Sequence, residues 1–136
     1  QALSVAKANA NRYDADVQWL LEDILNFTSS EKEYDIIVSN PPYVREAEAA
    51  EMKPNVLNYE PHAALFVQDN QPLIFYDKIV QLCKQYDLLK NGGKLFFEIN
   101  EALGEATVEL LQRYGFDEIS LHLDMQGKER FLIAQK

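Results

Sequence analysis

Apolar and polar residues along this chain follow two periods, and the period switches several times. Leu3, Ala6, Ala10 and Tyr13 recur at the spacing of one helix face, which predicts an opening helix running to about Tyr13. No capping residue precedes it, as at a fragment boundary. Val17 to Leu21 reads as a short strand followed by Glu22-Asp23, and Thr28 to Glu33 as a polar loop. Tyr34 to Ser39 carries Ile36-Ile37-Val38, a continuous β-branched run. A run apolar on both faces predicts a central strand of a parallel sheet.

Asn40-Pro41-Pro42-Tyr43 stops that strand, and Arg45 to Gln71 is long and irregular, the kind of loop that is functional or mobile. A helix is predicted from about Pro72 to Leu89, with Phe75, Ile79, Leu82, Cys83 and Tyr86 facing inward and Asn91-Gly92-Gly93 ending it. Lys94 to Ile99 is a further strand. Glu101 to Tyr114 is a helix with Leu103, Ala106, Leu110 and Tyr114 inward and Gly115 at its C-terminus. Ile119, Leu121 and Leu123 alternate with polar residues, as in a half-exposed strand. A turn from Met125 to Lys128 leads into a last strand, Arg130 to Ala134. Strands alternating with helices predict one α/β domain over residues 1–136, its mostly parallel sheet ending in an antiparallel hairpin.

Composition narrows the function. All five glycines lie at or after Gly92, so the chain contains neither a P-loop nor a G-x-G-x-x-G loop. The net charge of −9 disfavours a nucleic-acid backbone as the main partner and suits a basic protein partner, or simply solubility. A single cysteine, Cys83, excludes an internal disulfide and fits a reducing cytosol. No apolar run of about 18 residues is present to span a membrane, and no export signal is visible.

The sharpest chemical signal is Asn40-Pro41-Pro42-Tyr43. Two prolines hold Asn40 and Pro41 extended and stiff, and remove N–H donors, so the turn presents carbonyl acceptors. The Asn40 side chain adds another acceptor, and Tyr43 sets a ring beside them. The turn follows a parallel strand, where open α/β sheets bind ligands. A planar –NH2 group matches two acceptors on a rigid turn, while the plainer reading is a Pro-Pro turn with a capping Asn. Cys83 on its inward stripe reads as core, and His62 and His122 lack ligand spacing.

Asn-Pro-Pro-Tyr after an apolar strand resembles motif IV of S-adenosylmethionine-dependent amino-methyltransferases. More of the chain is similar to the protein-(glutamine-N5) methyltransferases (HemK/PrmC family), which modify peptide chain release factors. The matching pieces run collinearly from Ala6-Lys7-Ala8-Asn9-Ala10 through Asp35 to Tyr43, Tyr59-Glu60-Pro61 with Ala64-Leu65-Phe66, Leu89 to Gly93, Glu98-Ile99, Gly104-Glu105-Ala106 and Gly127 to Arg130. The tetrapeptide is shared with adenine-N6 methylases, whereas the Tyr-Glu-Pro segment points to the glutamine branch.

The resemblance implies a partial class I methyltransferase (Rossmann-like) fold, S-adenosyl-L-methionine as cofactor and a cytoplasmic enzyme. It implies that Asn40 and the Pro41 carbonyl accept from the glutamine amide of a Gly-Gly-Gln motif, that Pro42 shapes that subsite and that Tyr43 packs on the amide plane. Asp23 and Ile24 would lie at the adenine, with Asn40 also near the cofactor; Asp23 equally suits an N-cap. Glu60 is expected to shape the substrate loop or to be a solvated loop acid. The family's glycine-rich loop, first two strands and N-terminal helical domain have no counterpart here, so the chain is expected to be a C-terminal portion, inactive by itself. Strands at Val17–Leu21 and Ile36–Val38 would then lack neighbours, which predicts either pairing between copies or displacement of the first ~30 residues. An adenine-N6 methyltransferase of DNA or RNA is the alternative, disfavoured by the negative charge.

Overall fold

The computed structural model describes residues 2–28 and 32–136. The opening helix α1 spans Ala2–Arg12 and buries none of its side chains. Strand β1 covers Tyr34–Ser39, β2 Val44–Arg45 and β3 Phe66–Val67. Between β2 and β3 lie a 3-10 turn at Glu46–Glu51, a one-turn helix α2 at Pro54–Leu57 and a second 3-10 turn at His62–Ala64. Helix α3 (Ile74–Gln85), strand β4 (Leu89–Glu98), helix α4 (Gly104–Arg113) and the hairpin β5 (Asp117–Leu123) with β6 (Glu129–Gln135) complete the order.

The main sheet has the order β1-β4-β6-β5. β1 runs parallel to β4, and β6 runs antiparallel to both β4 and β5. Three strands therefore share one direction and the hairpin contributes the single reversed one, as the alternation of strands and helices predicts. One face of the sheet is dry. Leu95, Phe97 and Ile99 of the β4 segment and Leu132 and Ala134 of β6 pack with Tyr76, Ile79, Val80 and Cys83 of α3 and Leu110 and Leu111 of α4. The opposite face holds Ile36 and Val38, 58% and 75% exposed, beside Phe96, Phe131 and Ile133. No helix among the described residues is long and apolar enough to cross a membrane.

Several expected boundaries move, each for a physical reason. Val17–Leu21 forms no strand: no described strand lies alongside to complete its backbone bonds, and Leu20 and Leu21 are exposed. For the same reason β1 is an edge strand, not a central one, among the described residues. Part of the predicted polar loop, residues 29–31, lies outside the described residues. Helix α3 begins two residues after Pro72 and ends at Gln85, with Asp87 at positive φ (49°). Ile79, Leu82 and Cys83 are buried as expected, but Tyr76 and Val80 join them while Tyr86 is exposed and Phe75 only half-buried, so the inward face turns toward Tyr76 and Val80. In α4, Thr107 and Leu111 are fully buried where Ala106 and Tyr114 were expected, and the Thr107 hydroxyl satisfies itself on the Leu103 carbonyl at 2.7 Å.

Asn91-Gly92-Gly93 lies inside β4 instead of ending α3. The β1–β4 register jumps between Tyr34↔Leu89 and Ile36↔Lys94, a bulge on the β4 side. Gly92 sits at φ 77° and its N–H donates to the Lys136 carbonyl, while the Lys136 N–H donates to Gly93. The bulge thus ties the chain's last residue to the start of β4.

Candidate active site

The Asn-Pro-Pro turn stands at the carboxyl end of β1, where the sequence places it. Asn40 is exposed and Pro41 buried. Among the described residues, neither the Asn40 side chain nor the Pro41 carbonyl has a hydrogen-bond partner. Both residues line a cleft of about 570 Å³ whose walls also include Asp23, Ile24, Pro42 and Phe75. The structure therefore brings together five of the six sequence-predicted site residues, although Asp23 and Asn40 are far apart in the chain. Ala63 and Ala64, from the end of the long loop, also line this cleft, whereas Glu60 is exposed outside it.

Asp23 has a local role as well. One carboxylate oxygen accepts from the Leu25 N–H at 3.0 Å and the other from the Asn26 side chain at 2.6 Å, pinning the turn at 24–26. This is the capping behaviour open to Asp23 from sequence, in a turn instead of a helix. Each carboxylate oxygen has a second lone pair, so a further donor can still be accepted from the cleft. Ile24 packs against the core beside it.

Tyr43, the sixth residue, is placed differently. It is absent from the walls of the Asp23–Asn40 cleft and lines a cavity of about 200 Å³ with Glu48, Asn100 and Arg130. Its hydroxyl donates to Glu98 at 2.9 Å, and its carbonyl accepts from the Asn100 amide at 3.3 Å. Burial raises the Tyr43 phenol above the usual tyrosine value, and the Glu98 carboxylate raises it further; Arg130 nearby opposes both. Asn100 is buried and also donates to the Glu48 carboxylate. Burial lifts the Glu48 carboxyl, but hydrogen bonds from Arg45 and Asn100 outweigh it and hold the group below the usual range.

The long loop is less irregular than its composition suggests. β3 pairs parallel with β2, and the Val44 N–H donates to the Leu65 carbonyl at 2.9 Å. The loop therefore folds back onto the residue following Tyr43. Glu98, Asn100 and Glu48 received no role from sequence. The available signal was position: an acid and an amide at the carboxyl end of a sheet strand, where α/β folds gather their chemistry. Among the described residues no group of His, Cys, Asp and Glu could hold a metal ion. Cys83 is fully buried and its thiol is pushed up to about 12 by burial, which fits its core position.

Comparison with known proteins places this geometry in a family. A family model described as Eco57I restriction-modification methylase matches residues 2–119. The release factor glutamine methyltransferase of Flavobacterium psychrophilum is 47% identical over 132 residues, covering 97% of this chain and 46% of that protein. That of Bacteroides thetaiotaomicron is 42% identical over 137 residues, covering 100% of this chain and 49% of that protein. A bifunctional methyltransferase of Rickettsia typhi is 32% identical over 133 residues, covering 96% of this chain and 25% of that protein. The chain thus spans about half the length, or less, of the curated relatives it matches. By the extent of the model match, the chain belongs to the Eco57I restriction-modification methylase family, and it resembles release factor glutamine methyltransferases along its whole length.

Proposed function

We propose that this chain is the C-terminal part of the catalytic domain of a cytoplasmic protein-(glutamine-N5) methyltransferase, with a class I, Rossmann-like fold. The proposed acceptor is the side-chain amide of the glutamine in the Gly-Gly-Gln motif of a peptide chain release factor. The observation that carries this reading is a pair of acceptors unpartnered among the described residues, the Asn40 side chain and the Pro41 carbonyl, on a stiff turn that lines the Asp23 cleft.

An amide nitrogen is a poor nucleophile because its lone pair is delocalised into the carbonyl. Two acceptors that each take one of its N–H groups fix the direction in which the nitrogen points. Orientation of this kind contributes up to ~7–11 kcal/mol. No strong base is required before attack, because the nitrogen proton becomes acidic once the methyl is attached. The two prolines keep the acceptors from rotating away.

The residues present fit S-adenosyl-L-methionine as the methyl donor. The Asp23 carboxylate retains acceptor capacity toward an adenine amino group, and Ile24 offers an apolar wall beside it. When bound, the cofactor supplies an electrophilic sulfonium methyl. Asp23, Ile24 and Asn40 would hold and orient it on one side of the cleft, while Asn40, Pro41 and Pro42 hold the acceptor amide on the other.

The matching family model is named for a restriction-modification methylase, which favours a second reading, a nucleic-acid methylase; an adenine-N6 acceptor would share the planar amine and the Asn-Pro-Pro-Tyr turn. A charge of −9 is unsuited to a polyanionic substrate, and two of the three relatives named above carry the release-factor name. Assaying the full-length protein on a release factor and on duplex DNA separates the two. Transfer to the release factor, reduced about 100-fold by Asn40→Ala, is the expected result. Transfer to DNA alone would refute the glutamine reading.

A further inference from the structure

Tyr43 is tethered at three points. Its hydroxyl donates to the Glu98 carboxylate at 2.9 Å, its carbonyl accepts from the Asn100 amide at 3.3 Å, and the next N–H, of Val44, donates to Leu65 at 2.9 Å. The tethers are themselves fixed. The Glu98 carbonyl accepts from the Tyr76 hydroxyl at 2.8 Å; Tyr76 is fully buried and packs edge-on against Phe97 with ring centroids 5.0 Å apart. The Asn100 side-chain oxygen accepts from the Ala102 N–H at 2.9 Å, leaving its amide directed at Tyr43 and Glu48.

Between Tyr43 and Asn40 stand two prolines with locked φ angles. Motion of Tyr43 is therefore transmitted to Asn40 with little loss in the intervening chain. Tyr43 lines the small cavity together with Arg130 and is not among the residues that line the cleft with Asn40 and Pro41.

We propose that Glu98 is a positioning residue for methyl transfer: it anchors the Tyr43 hydroxyl and, with Asn100, holds the turn that presents Asn40 and the Pro41 carbonyl. Tyr43 then acts on the turn through its hydroxyl and its carbonyl. This rests on the reading of the turn as a glutamine-amide site. The burial and the Glu98 contact that keep Tyr43 protonated agree with a phenol donating steadily to a carboxylate.

Tyr43→Phe keeps the ring and removes the hydroxyl, and with it the Glu98 tether and the Arg130 contact. In the full-length protein, acting on a release-factor peptide containing Gly-Gly-Gln, Tyr43→Phe is expected to lower kcat about tenfold with KM changed less than about twofold. Glu98→Ala is expected to do the same. The Tyr43→Phe/Glu98→Ala double variant is expected to fall no further than either single one, because both remove one interaction. Glu98→Gln keeps a carbonyl acceptor and is expected to restore most of kcat. A neutral Tyr43→Phe, or single effects that multiply in the double variant, would overturn the proposal.

A second readout does not depend on activity. In the 136-residue chain with labelled tyrosine, the NMR titration midpoint of Tyr43 is expected to fall in Glu98→Gln, since the raising carboxylate is gone. An unmoved midpoint would overturn the tether even if methylation were normal. No transfer to the peptide by the unaltered protein would overturn the glutamine reading, and the positioning role with it, while the tyrosine titration still decides the tether.

Discussion

Asn40, Pro41, Tyr43 and Glu98 divide one task. The first two present acceptors, and the last two fix where those acceptors stand. The same fixing has a cost at alkaline pH. Burial and Glu98 raise Tyr43, burial and neighbouring negative charge raise Tyr76, and burial raises Cys83 to about 12. Groups raised in the folded state contribute stability that is complete below their unfolded values, about 8.5 for cysteine and 10 for tyrosine. That stability is lost as pH climbs through the folded values. The urea midpoint is therefore expected to decline from about pH 9 upward, more gently in Tyr43→Phe. A midpoint level to pH 11 would show that these groups are not held as described.

The elements around the site show which parts of the fold can be read locally. β1 and its turn were legible because a β-branched run and two prolines specify their conformation without distant partners. The hairpin was legible because Gly127, at φ 80°, supplies the turn between two alternating segments. Val17–Leu21 was misread because a strand exists only through a neighbour, and none is described beside it. Asn91-Gly92-Gly93 was misread because a helix stop and a β-bulge use the same residues; the deciding bonds come from Lys136, at the far end of the chain. The Tyr43–Glu98 tether joins residues 55 positions apart and leaves no local trace. The bulge is testable in its own right. A Cβ on Gly93 would meet Leu89 at 2.8 Å, the Lys90 carbonyl at 2.9 Å and the Asp35 carbonyl at 3.0 Å. Two of these are backbone atoms, which cannot swing aside. Gly93→Ala is expected to destabilise the chain by about 1–3 kcal/mol in urea unfolding. A loss under about 0.5 kcal/mol would mean that the β1–β4 register is looser than described.

At the scale of the whole molecule, one sheet face is covered by α3 and α4 and, among the described residues, the other is bare. Ile36, Val38 and Phe131 are exposed there, and β1 offers an unpaired edge next to them. Unpaired apolar edges recruit further strands. The isolated chain is expected to self-associate, giving a mass above one chain by light scattering, and Val38→Lys is expected to shift it toward monomer. A monomeric wild-type chain with β1 amides protected from exchange would contradict this. The asymmetry also accounts for the partial site. In the proposed site the substrate side, from Asn40 to Pro42, is braced through Tyr43 by Glu98 of β4, while the proposed cofactor side consists of Asp23 and Ile24 on a segment without regular strand or helix.

Locating the transferred methyl group by tandem mass spectrometry, after incubating the full-length protein with S-adenosylmethionine and a release factor, decides most about these residues. The expected product carries one methyl on the side-chain nitrogen of the Gly-Gly-Gln glutamine, and Asn40→Ala largely abolishes it. A methyl found on any other atom of the release factor, or only on adenine when DNA is supplied, would contradict the assignment of Asn40 and Pro41 as the grip on a glutamine amide.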